Sequence, residues 1–478
     1  MHLATCILAA GQGKRMYSQL PKVLHQIAGK PLVGHVLDTA TAVSAEPPIV
    51  VYGHGGDQLQ TAFASRAIIW VEQSEQLGTG HAVAQALPHL AAEALVLILY
   101  GDVPLLSVPT VPLLSVPTVQ RLLAAAAASG FSLLTVNLAE PTGYGRIIRN
   151  ARNEIVRITE HKDASADELS IPEVNTGIMA VKSEYLQRWL PGLRNHNAQG
   201  EYYLTDCVAL AVSEGIAVVG VAATNELEVT GVNNRVQLAQ LERAYQHAAA
   251  QRLMETGVTL RDPARLDIRG TLDCGQDVII DVNVVFAGRV RLGDGVVIGP
   301  NCVISESTLA AGVEVLANSV IEQAIIGADS RIGPFARVRP ETELGPDVHI
   351  GNFVEIKKSR IAAGSKVNHL SYIGDSEIGR SVNVGAGTIT CNYDGAFKHK
   401  TVIEDDVFIG SDTQLVAPVT IGRGSTIGAG TTVTENVEPE CLIISRVRQK
   451  ARNNWGCTYY LLLYRQTSLA TGYPLEYQ

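Results

Sequence analysis

Three polar motifs in the first part of the chain follow apolar runs, where a strand would present them at its carboxyl end. The first is a glycine turn followed by cations, made of Gly11, Gly13, Lys14, Arg15 and Lys22. Glycines after a strand let the backbone approach a phosphate, and the cations add positive charge. A dinucleotide fingerprint is excluded because Met16 replaces its third glycine, and no Gly-Lys-Ser/Thr closes a Walker A loop. The motif predicts another kind of phosphate-binding turn, the alternative being a purely structural strand–helix turn.

Two further motifs carry groups that suit a nucleotide. Gln73 precedes the glycine turn Gly78-Thr79, which would open a helix and serve either as its cap or as a loop that contacts a base or a sugar. Asp102 follows Tyr100 and one glycine at the end of an apolar run. A carboxylate at this place is either a turn residue or a ligand that holds Mg²⁺ on nucleotide phosphates.

The second half of the chain has a six-residue period. An aliphatic residue returns at every sixth position from 326 to 356, and again from 403 to 433. This period fits neither a helix nor an alternating strand, and it predicts a coil of short parallel strands with inward aliphatic side chains. The polar run Cys391-Asn392-Tyr393-Asp394-Gly395 breaks the period. Because insertions into a coil often lie on its binding face, the break indicates where the chemistry of this half lies.

The elements that must position the first motifs form an alternating pattern. Residues 1–235 alternate apolar runs with helical patterns, which predicts an open α/β sheet. The candidate strands are residues 5–9, 49–52, 95–100 and 131–136. Ligands of such sheets lie at the carboxyl ends of the strands, so the polar motifs should converge there.

A long connecting helix is predicted between the two halves. The apolar spacing from Asn233 to Glu255 is helical, and Gly257 ends it. The predicted organisation is a nucleotide domain at 1–235, a helical linker at 236–256, a repeat domain at 257–446 and an atypical tail at 447–478.

Bulk composition narrows the classes of partner. The net charge of −9 over 478 residues gives no reason to expect nucleic acid or an anionic membrane as the main partner. The beginning of the chain lacks a secretory pattern, and no apolar run is long enough to insert into a membrane. Seven scattered cysteines without a CxxC pair favour neither disulfides nor a zinc site, so a reducing cytoplasm is expected.

As a set, the motifs resemble those of sugar-1-phosphate nucleotidyltransferases. Four further runs narrow the match: Tyr144-Gly145-Arg146-Ile147, Glu160-His161-Lys162-Asp163, Val174-Asn175-Thr176-Gly177 and Gly231-Val232-Asn233-Asn234-Arg235. Their order resembles the family of bacterial bifunctional N-acetylglucosamine-1-phosphate uridylyltransferases and glucosamine-1-phosphate N-acetyltransferases. The resemblance covers residues 3–446.

The resemblance implies both an architecture and two reactions. The expected α/β fold has a Rossmann-like nucleotidyltransferase domain, a long connecting helix and a left-handed parallel β-helix of hexapeptide repeats, assembled as a homotrimer. One reaction transfers acetyl from acetyl-CoA to glucosamine 1-phosphate. The other transfers uridylyl from UTP to N-acetylglucosamine 1-phosphate, with Mg²⁺ as cofactor and pyrophosphate as product. The UDP-N-acetylglucosamine formed would feed the bacterial cell wall.

Two other readings compete with this one. In the first, a monofunctional nucleotidyltransferase uses the coil only for oligomerisation. A purely structural coil needs neither His369 nor the Asn392-Tyr393 loop, which argues against it. In the second, a regulatory protein retains both modules with decayed sites, which the intact Lys22 and Asp102 oppose.

The resemblance also assigns residues to the nucleotidyl site. The uridine nucleotide would contact Leu8, Ala9, Ala10, Gly11, Lys22, Gln73, Gly78, Thr79, Tyr100, Gly101 and Asp102. The amino sugar would contact Gly145, Glu160 and Asn175, and Mg²⁺ would be bound by Asp102 and Asn233. Attack of a sugar phosphate on the α-phosphorus of UTP brings two anions together. The reaction therefore needs positioning and charge neutralisation more than covalent chemistry.

A second set belongs to acetyl transfer. The sugar phosphate and acetyl-CoA would contact Arg339, Lys357, Tyr372, Asn383, Ala386, Asn392, Tyr393, Ser411, Ala429 and Arg446. His369 would be the general base, because an attacking amine must be neutral and an imidazole with an ordinary pKa of about 6.5 can take its proton. For polar side chains in an aliphatic wall, the alternative is a solvated outer face.

Two features depart from the family pattern. The sequence VPLLSVPT at 103–110 recurs unchanged at 111–118, directly after Asp102. We expect the second copy to bulge at the surface, since doubling a loop costs only about 0.6 kcal/mol. The tail at 447–478 is aromatic where the family tail is short and basic, and it resembles the product of a frameshift.

Deleting residues 111–118 tests the bulge. Because the metal ligand precedes the repeat, we expect pyrophosphate release from UTP to stay within about twofold of the full chain. A large rise in this activity after the deletion would show instead that the repeat distorts the site.

Overall fold

The computed structural model describes residues 2–11, 13–104, 116–445 and 448–451. Its first half is an α/β domain on a nine-stranded mixed sheet within those ranges, in which Glu173–Lys182 runs antiparallel to both of its neighbours on the main path. Across the sheet the strands are Val218–Ala222, Phe131–Asn137, Glu173–Lys182, Leu95–Tyr100, Leu3–Ala9, Ile49–Tyr52 and Ile69–Glu72. Arg146–Arg149 and Ile155–Thr159 form an antiparallel pair beside this path.

Helices cover the sheet on both sides. They are Leu32–Val43, Gly56–Ala62, Thr79–Ala86, Val116–Ser129, Ala166–Leu169, Ser183–Trp189 and Asp206–Ser213. The central strands read as continuous apolar runs because both faces are buried: Leu97 packs into one core and Ile98 into the other. Parallel pairing aligns Leu8 with Tyr100 and Ala9 with Tyr52, so the carboxyl ends of three strands meet at one edge.

The connecting helix, Arg235–Glu255, packs against both halves of the molecule. The Asn234 side chain caps it by accepting a hydrogen bond of 2.9 Å from Gln237 N. Near its start, Leu241 joins a small core with front-half residues such as Ile27, whereas Leu253 near its end joins the core of the coil. The helix is therefore a packed element rather than a free linker.

The predicted coil of short parallel strands is confirmed. One sheet of the coil contains Thr259–Leu260, Ile279–Ile280, Val297–Ile298, Glu314–Val315, Arg331–Ile332, His349–Asn352, Lys366–His369, Asn383–Val384, Phe408–Ile409, Thr426–Ile427 and Leu442–Ile443. The other contains Leu266–Cys274, Val284–Leu292, Val303–Ser305, Thr308–Leu309, Val320–Glu322, Ala324–Ile326, Arg337–Val338, Thr342–Leu344, Glu355–Lys357, Arg360–Ile361, Tyr372–Gly374, Ser376–Ile378, Ile389–Cys391, Thr401–Ile403, Gln414–Val416, Val419–Ile421 and Thr432–Val433. Aliphatics of the six-residue period, such as Ile332 and Ile409, are fully buried in one continuous core.

One corner of the coil turns through residues with positive φ. This corner column consists of Asn283, Asn301, Asn318, Phe335, Phe353, Leu370, Gly387, Asp412 and Gly430. Asparagine tolerates this conformation, and Asn301 bonds to Asn283 and Asn318 at 2.8 and 3.2 Å. Bulky Phe335 and Phe353 are uncommon there, yet their rings stack at 5.3 Å. The middle of this corner therefore carries apolar side chains that turn geometry alone does not explain.

Several predicted features lie outside the described residues. They are Gln12, residues 105–115 of the tandem repeat, Arg446 and the tail from 452 onward. In the ranges that the structure does describe, no helix has both the length and the apolar character needed to cross a membrane.

The junction between helix and coil can be tested at Gln246. This side chain is only 2% exposed, donates to Ile268 O and accepts from Ile268 N, both at 2.8 Å. Replacing it with leucine leaves two buried backbone groups without partners, so we expect Gln246→Leu to lower the free energy of unfolding by about 3 kcal/mol. Urea denaturation followed by circular dichroism measures this.

The control is Gln251→Leu on the exposed side of the same helix, where the glutamine bonds only to Glu255. We expect this change to stay within about 0.5 kcal/mol of the unaltered protein. Equal effects of the two substitutions would contradict a specific role of Gln246.

Candidate nucleotide and acetyl-transfer sites

A cleft of about 560 Å³ opens at the carboxyl edge of the front sheet. It is lined by ten of the residues predicted to bind the nucleotide: Leu8, Ala9, Ala10, Gly11, Lys22, Gln73, Gly78, Thr79, Tyr100 and Asp102. Gly101 N donates to Leu8 O at 2.9 Å and joins the two central strand ends. A side chain on Gly13 would meet Lys22 Cβ at 2.7 Å, so this turn needs glycine to bring the lysine in. Three distant segments thus form one cleft, and its volume is in the range of pockets that hold a whole small-molecule ligand.

Lys22, Asp102 and Asn233 meet in this cleft. The Lys22 ammonium contacts Asp102 Oδ2 and lies 3.4 Å from Asn233 Oδ1. Asn233 is held there because Val232 N donates to Asp102 O at 2.9 Å and Asn233 N donates to Gln237 Oε1 at 2.8 Å. A carboxylate and an amide oxygen that converge on one cation are hard donors of the kind that Mg²⁺ prefers.

The protein offers few side chains as metal ligands in this cleft, so a metal ion would need further ligands from elsewhere. Throughout 2–11, 13–104, 116–445 and 448–451, no group of three or more His, Cys, Asp or Glu side chains could hold a metal ion. The pair Asp102 and Asn233 fits an ion that takes its other ligands from phosphate oxygens and water, as Mg²⁺ usually does on nucleotides.

The predicted amino-sugar residues lie together beside the cleft. Asn175 N donates to Gly145 O at 2.8 Å, and Glu160 accepts a hydrogen bond of 3.0 Å from Thr205. Burial raises the pKa of Glu160 above its ordinary value. Burial, followed by the nearby charges of Glu160 and Asp102, also raises the pKa of Tyr100. Tyr100 is therefore a neutral phenol between the two groups of predicted ligands.

In the coil, four predicted acetyl-transfer residues occupy equivalent places on successive turns. Each precedes a residue of the corner column, and together with Asn352 they form an edge column: Asn352, His369, Ala386, Ser411 and Ala429. Between adjacent turns, the corner-column residue of the later turn donates a backbone hydrogen bond to the carbonyl of the edge-column residue of the earlier turn. Gly387 N, for example, donates to His369 O at 3.1 Å. At about 4.8 Å per turn, the column from His369 to Ala429 is about 15 Å long, which suits an extended ligand.

His369 has one side-chain partner that the sequence did not reveal. Its Nδ1 lies 2.9 Å from Asn352 Oδ1, and the two residues pair in adjacent strands. An amide oxygen only accepts, so Nδ1 carries the proton and Nε2 of the neutral ring keeps its lone pair. The ring is thereby set to accept a proton at Nε2.

A cationic cluster lies across the corner from His369. Arg339 pairs with Glu355 at 2.7 Å, and Lys357 Nζ lies 3.9 Å from Asp375 Oδ2. The adjacent Lys357 ammonium lowers the pKa of Lys398, which the sequence analysis did not assign to a site. Two ammonium groups so close together suit a doubly charged phosphate.

The period break supplies further polar groups to this cluster. Asn392 Nδ2 donates to Asp375 and lies 3.5 Å from the Tyr372 hydroxyl. Within the break, Asp394 accepts from two backbone N–H groups and from His399, and these bonds lower its pKa. The inserted segment is therefore an ordered turn.

Other predicted residues lie at the edge of this cluster or away from it. Tyr393 is 61% exposed, and its hydroxyl donates to Gly395 O at 2.6 Å, while its backbone pairs with that of Lys398 in an isolated antiparallel bridge. Asn383 lies one strand beyond Lys366, on the His369 side of the corner. Within the described residues, no hydrogen bond connects His369 with the cluster, because the corner at Leu370 separates them.

Comparison with known families agrees with this division. The MobA-like NTP transferase domain family matches residues 5–161, and the bacterial transferase hexapeptide family, of six repeats, matches residues 400–435. Residues 268–348 match the GMPPB C-terminal domain family. Among solved structures, a UDP-glucose pyrophosphorylase complexed with UDP-glucose covers 51% of this chain and 98% of its own, with a TM-score of 0.43 and 15% identity.

Relatives with much higher identity extend over nearly the whole chain. The bifunctional protein GlmU of Nitrosospira multiformis is 57% identical over 450 residues, which are 94% of this chain and 96% of that protein. Bifunctional protein GlmU of Thiobacillus denitrificans is 59% identical with the same coverage, and that of Methylococcus capsulatus is 57% identical over 95% of this chain and 97% of its own. The chain therefore belongs to the GlmU family of bifunctional proteins.

Proposed function

We propose that the chain catalyses two reactions of UDP-N-acetylglucosamine synthesis at two separate sites. Acetyl-CoA and glucosamine 1-phosphate react at the coil, and the acetylated sugar phosphate then reacts with UTP in the front cleft. The observation that carries this proposal is the presence, on one chain, of the Lys22–Asp102–Asn233 convergence and of an imidazole with a set tautomer in the edge column. A protein with only one of these reactions would need only one of these arrangements.

In the cleft, the residues bind and neutralise rather than form covalent bonds. The glycine turn admits the UTP phosphates, and Lys22 supplies charge where they lie. The sugar phosphate enters from the side of Glu160 and Asn175, so that its oxygen attacks the α-phosphorus as pyrophosphate leaves. Such a displacement is accelerated because the protein holds the two reactants in the correct orientation and places fixed charges beside them.

Asp102 and Asn233 would hold Mg²⁺ together with oxygens of the nucleotide. The ion supplies charge neutralisation on the phosphates during transfer. Since Lys22 already contacts both oxygens, the lysine and the metal share one small anionic region.

At the coil, His369 acts as general base. Nε2 takes a proton from the sugar ammonium and passes it to water, and the neutral amine attacks the thioester carbonyl. As the C–S bond breaks, the nitrogen loses a second proton, which ends on the coenzyme A thiolate, so that the free thiol leaves. Arg339, Lys357 and Lys398 bind the sugar phosphate, and the edge column lies along acetyl-CoA. No acyl-enzyme is needed, because the amine itself is the nucleophile.

We further propose that the coil assembles as a homotrimer through the corner column. Phe335, Phe353 and Leu370 are 50%, 56% and 64% exposed, although each is large and apolar. Contiguous exposed apolar groups typically mark protein contacts. Leu370 directly follows His369, so a neighbouring copy covering this corner would also enclose the base.

The proposed boundaries are 1–235 for nucleotidyl transfer, 236–256 for the linker, 257–446 for acetyl transfer and 447–478 for the tail. The helix Arg235–Glu255 supports the linker limits. UTP and acetyl-CoA are both cytoplasmic metabolites of bacteria, which supports action in the cytoplasm.

A paired assay on one preparation tests the two sites. We expect His369→Ala to lower thiol release from acetyl-CoA with glucosamine 1-phosphate by about 10³-fold, since general-base catalysis contributes about 10²–10⁴-fold. Pyrophosphate release from UTP with N-acetylglucosamine 1-phosphate should stay unchanged in that variant. Lys22→Ala should show the opposite pattern.

His349→Ala is the matched control. This histidine lies in the neighbouring strand of the same sheet, outside the edge column, and pairs with Asp347. Both activities should survive its replacement. Retained acetyl transfer in His369→Ala would reject the assigned base.

The trimer is tested by Phe353→Ser. Removing the stacked ring deletes part of the apolar corner, so we expect the assembly to shift toward monomer at micromolar concentration in analytical ultracentrifugation. Ile325→Ser, an equally exposed apolar position in the wall strand Ala324–Ile326, is the control. An unaltered trimer in Phe353→Ser, or a monomeric native protein, would contradict the proposal.

A further inference from the structure

The side-chain amide of Gln73 is fixed at the inner end of the front cleft. Gln73 is only 3% exposed, and its Nε2 lies 3.1 Å from Gly78 O and 3.0 Å from His81 Nδ1. A backbone carbonyl only accepts hydrogen bonds, so the atom facing Gly78 must be the amide nitrogen. The second hydrogen of this nitrogen therefore points at His81 Nδ1.

This contact sets the tautomer of His81. If Nδ1 accepts, the proton of the neutral ring is on Nε2. The Gln85 side-chain amide lies 3.1 Å from Nε2, one helical turn further along Thr79–Ala86. The Gln85 atom placed there is Nε2, which also lies 3.4 Å from His81 O. Because the bond from Gln73 to Gly78 O is shorter, at 3.1 Å, we assign the Gln85 amide with its oxygen toward the ring, where it accepts that proton. The three side chains then form one directed chain of hydrogen bonds that ends at Gln73.

The chain leaves one group of Gln73 unused. In the described part of the protein, Gln73 Oε1 has no hydrogen-bond partner, and Gln73 lines the cleft. Gln73 Oε1 therefore offers the cleft a hydrogen-bond acceptor in a fixed position. Uracil presents an N–H donor at N3, whereas cytosine presents a bare nitrogen acceptor at the same position. A fixed acceptor favours the first base and repels the second, because an unpaired buried polar group is costly.

We propose that His81 is a positioning residue that determines base specificity. Together with Gly78 O, it holds the Gln73 amide with its oxygen toward the cleft and so selects pyrimidines with an N3–H over cytosine. This inference rests on the proposed uridylyl transfer and adds to it the device that sets the choice of base. The ring itself does not touch the nucleotide.

The surrounding backbone does not depend on the imidazole. Gly80 N donates to Tyr202 O at 2.8 Å, and Leu204 N donates to Thr79 Oγ1 at 3.2 Å. These bonds hold the first turn of the helix against the segment after it. Replacing the ring should therefore leave the loop in place and change only the amide that the ring orients.

The test is the ratio of kcat/KM for UTP to kcat/KM for CTP, followed by pyrophosphate release. His81→Leu removes one of the two acceptors of Gln73 Nε2 and leaves only Gly78 O, so the Gln73 amide turns over more readily and offers its N–H groups to cytosine. We expect the ratio to fall about fivefold, the effect of one ordinary hydrogen bond. His81→Asn places an amide oxygen near the position of Nδ1, and the ratio should stay within about twofold of the native value.

Gln85→Leu and Gln85→Glu give a second, more exposed pair in case His81→Leu folds poorly. The leucine variant loses the acceptor for His81 Nε2–H and should lower the ratio, whereas the carboxylate keeps it. An equal loss of activity toward both nucleotides, with the ratio unchanged in all variants, would overturn the proposal. So would a fall of the ratio in His81→Asn as large as that in His81→Leu.

The native protein separates this inference from the function on which it rests. If it releases no pyrophosphate from either nucleotide, the proposed uridylyl transfer itself has failed. If it uses UTP and CTP equally well, uridylyl transfer stands and the specificity role of His81 is rejected. Thiol release at the coil reports that each variant preparation is intact.

Discussion

Every turn of the coil is tied to the turn before it by backbone hydrogen bonds, and this ladder decides where the side chains of the back half lie. His369, Ala386, Ser411 and Ala429 are far apart in sequence, yet the ladder brings them onto one edge. The ladder also tolerates the long insertion, because Ser376–Ile378 pairs directly with Thr401–Ile403 across it. Regular backbone pairing thus positions the chemical groups, and an inserted loop adds more without disturbing them.

In the front half, backbone pairing also positions the side chains, but here the strands form an open sheet. Parallel pairing brings the ends of the strands Leu3–Ala9 and Leu95–Tyr100 to one edge, so the glycine turn proposed to bind phosphate and Asp102 meet there. Residues at the start of the connecting helix then position Asn233, the proposed metal ligand from far along the chain. The register of the sheet and the start of the helix therefore both determine the geometry of the proposed nucleotide site.

The sequence predicted the backbone architecture of the two halves better than the contacts between side chains. Apolar runs and the six-residue period report burial, and the buried positions were right in both halves. Glycines and charges at strand ends predicted that Gly11, Lys22 and Asp102 would meet at one edge, whereas residues such as Leu8 and Ala9 came only from the family resemblance. Ten of the predicted residues line one cleft, and their binding of a nucleotide stays a prediction. Asn352 and Lys398 were missed, since the period describes only inward residues and says nothing of which outward groups meet. The Lys398-His399-Lys400 run in the period break was the one available signal for the second of these.

The connecting helix has a consequence for how the molecule divides. Gln237 Oε1 accepts from Asn233 N, and Glu242 Oε2 accepts from Ala28 N, both at 2.8 Å. A chain ended at residue 235 would keep every residue assigned to nucleotidyl transfer but lose the groups that hold one ligand and one loop in place. The smallest folding unit of the front half therefore extends at least two turns into the helix. Because the end of the same helix packs into the core of the coil, the two units share one structural element.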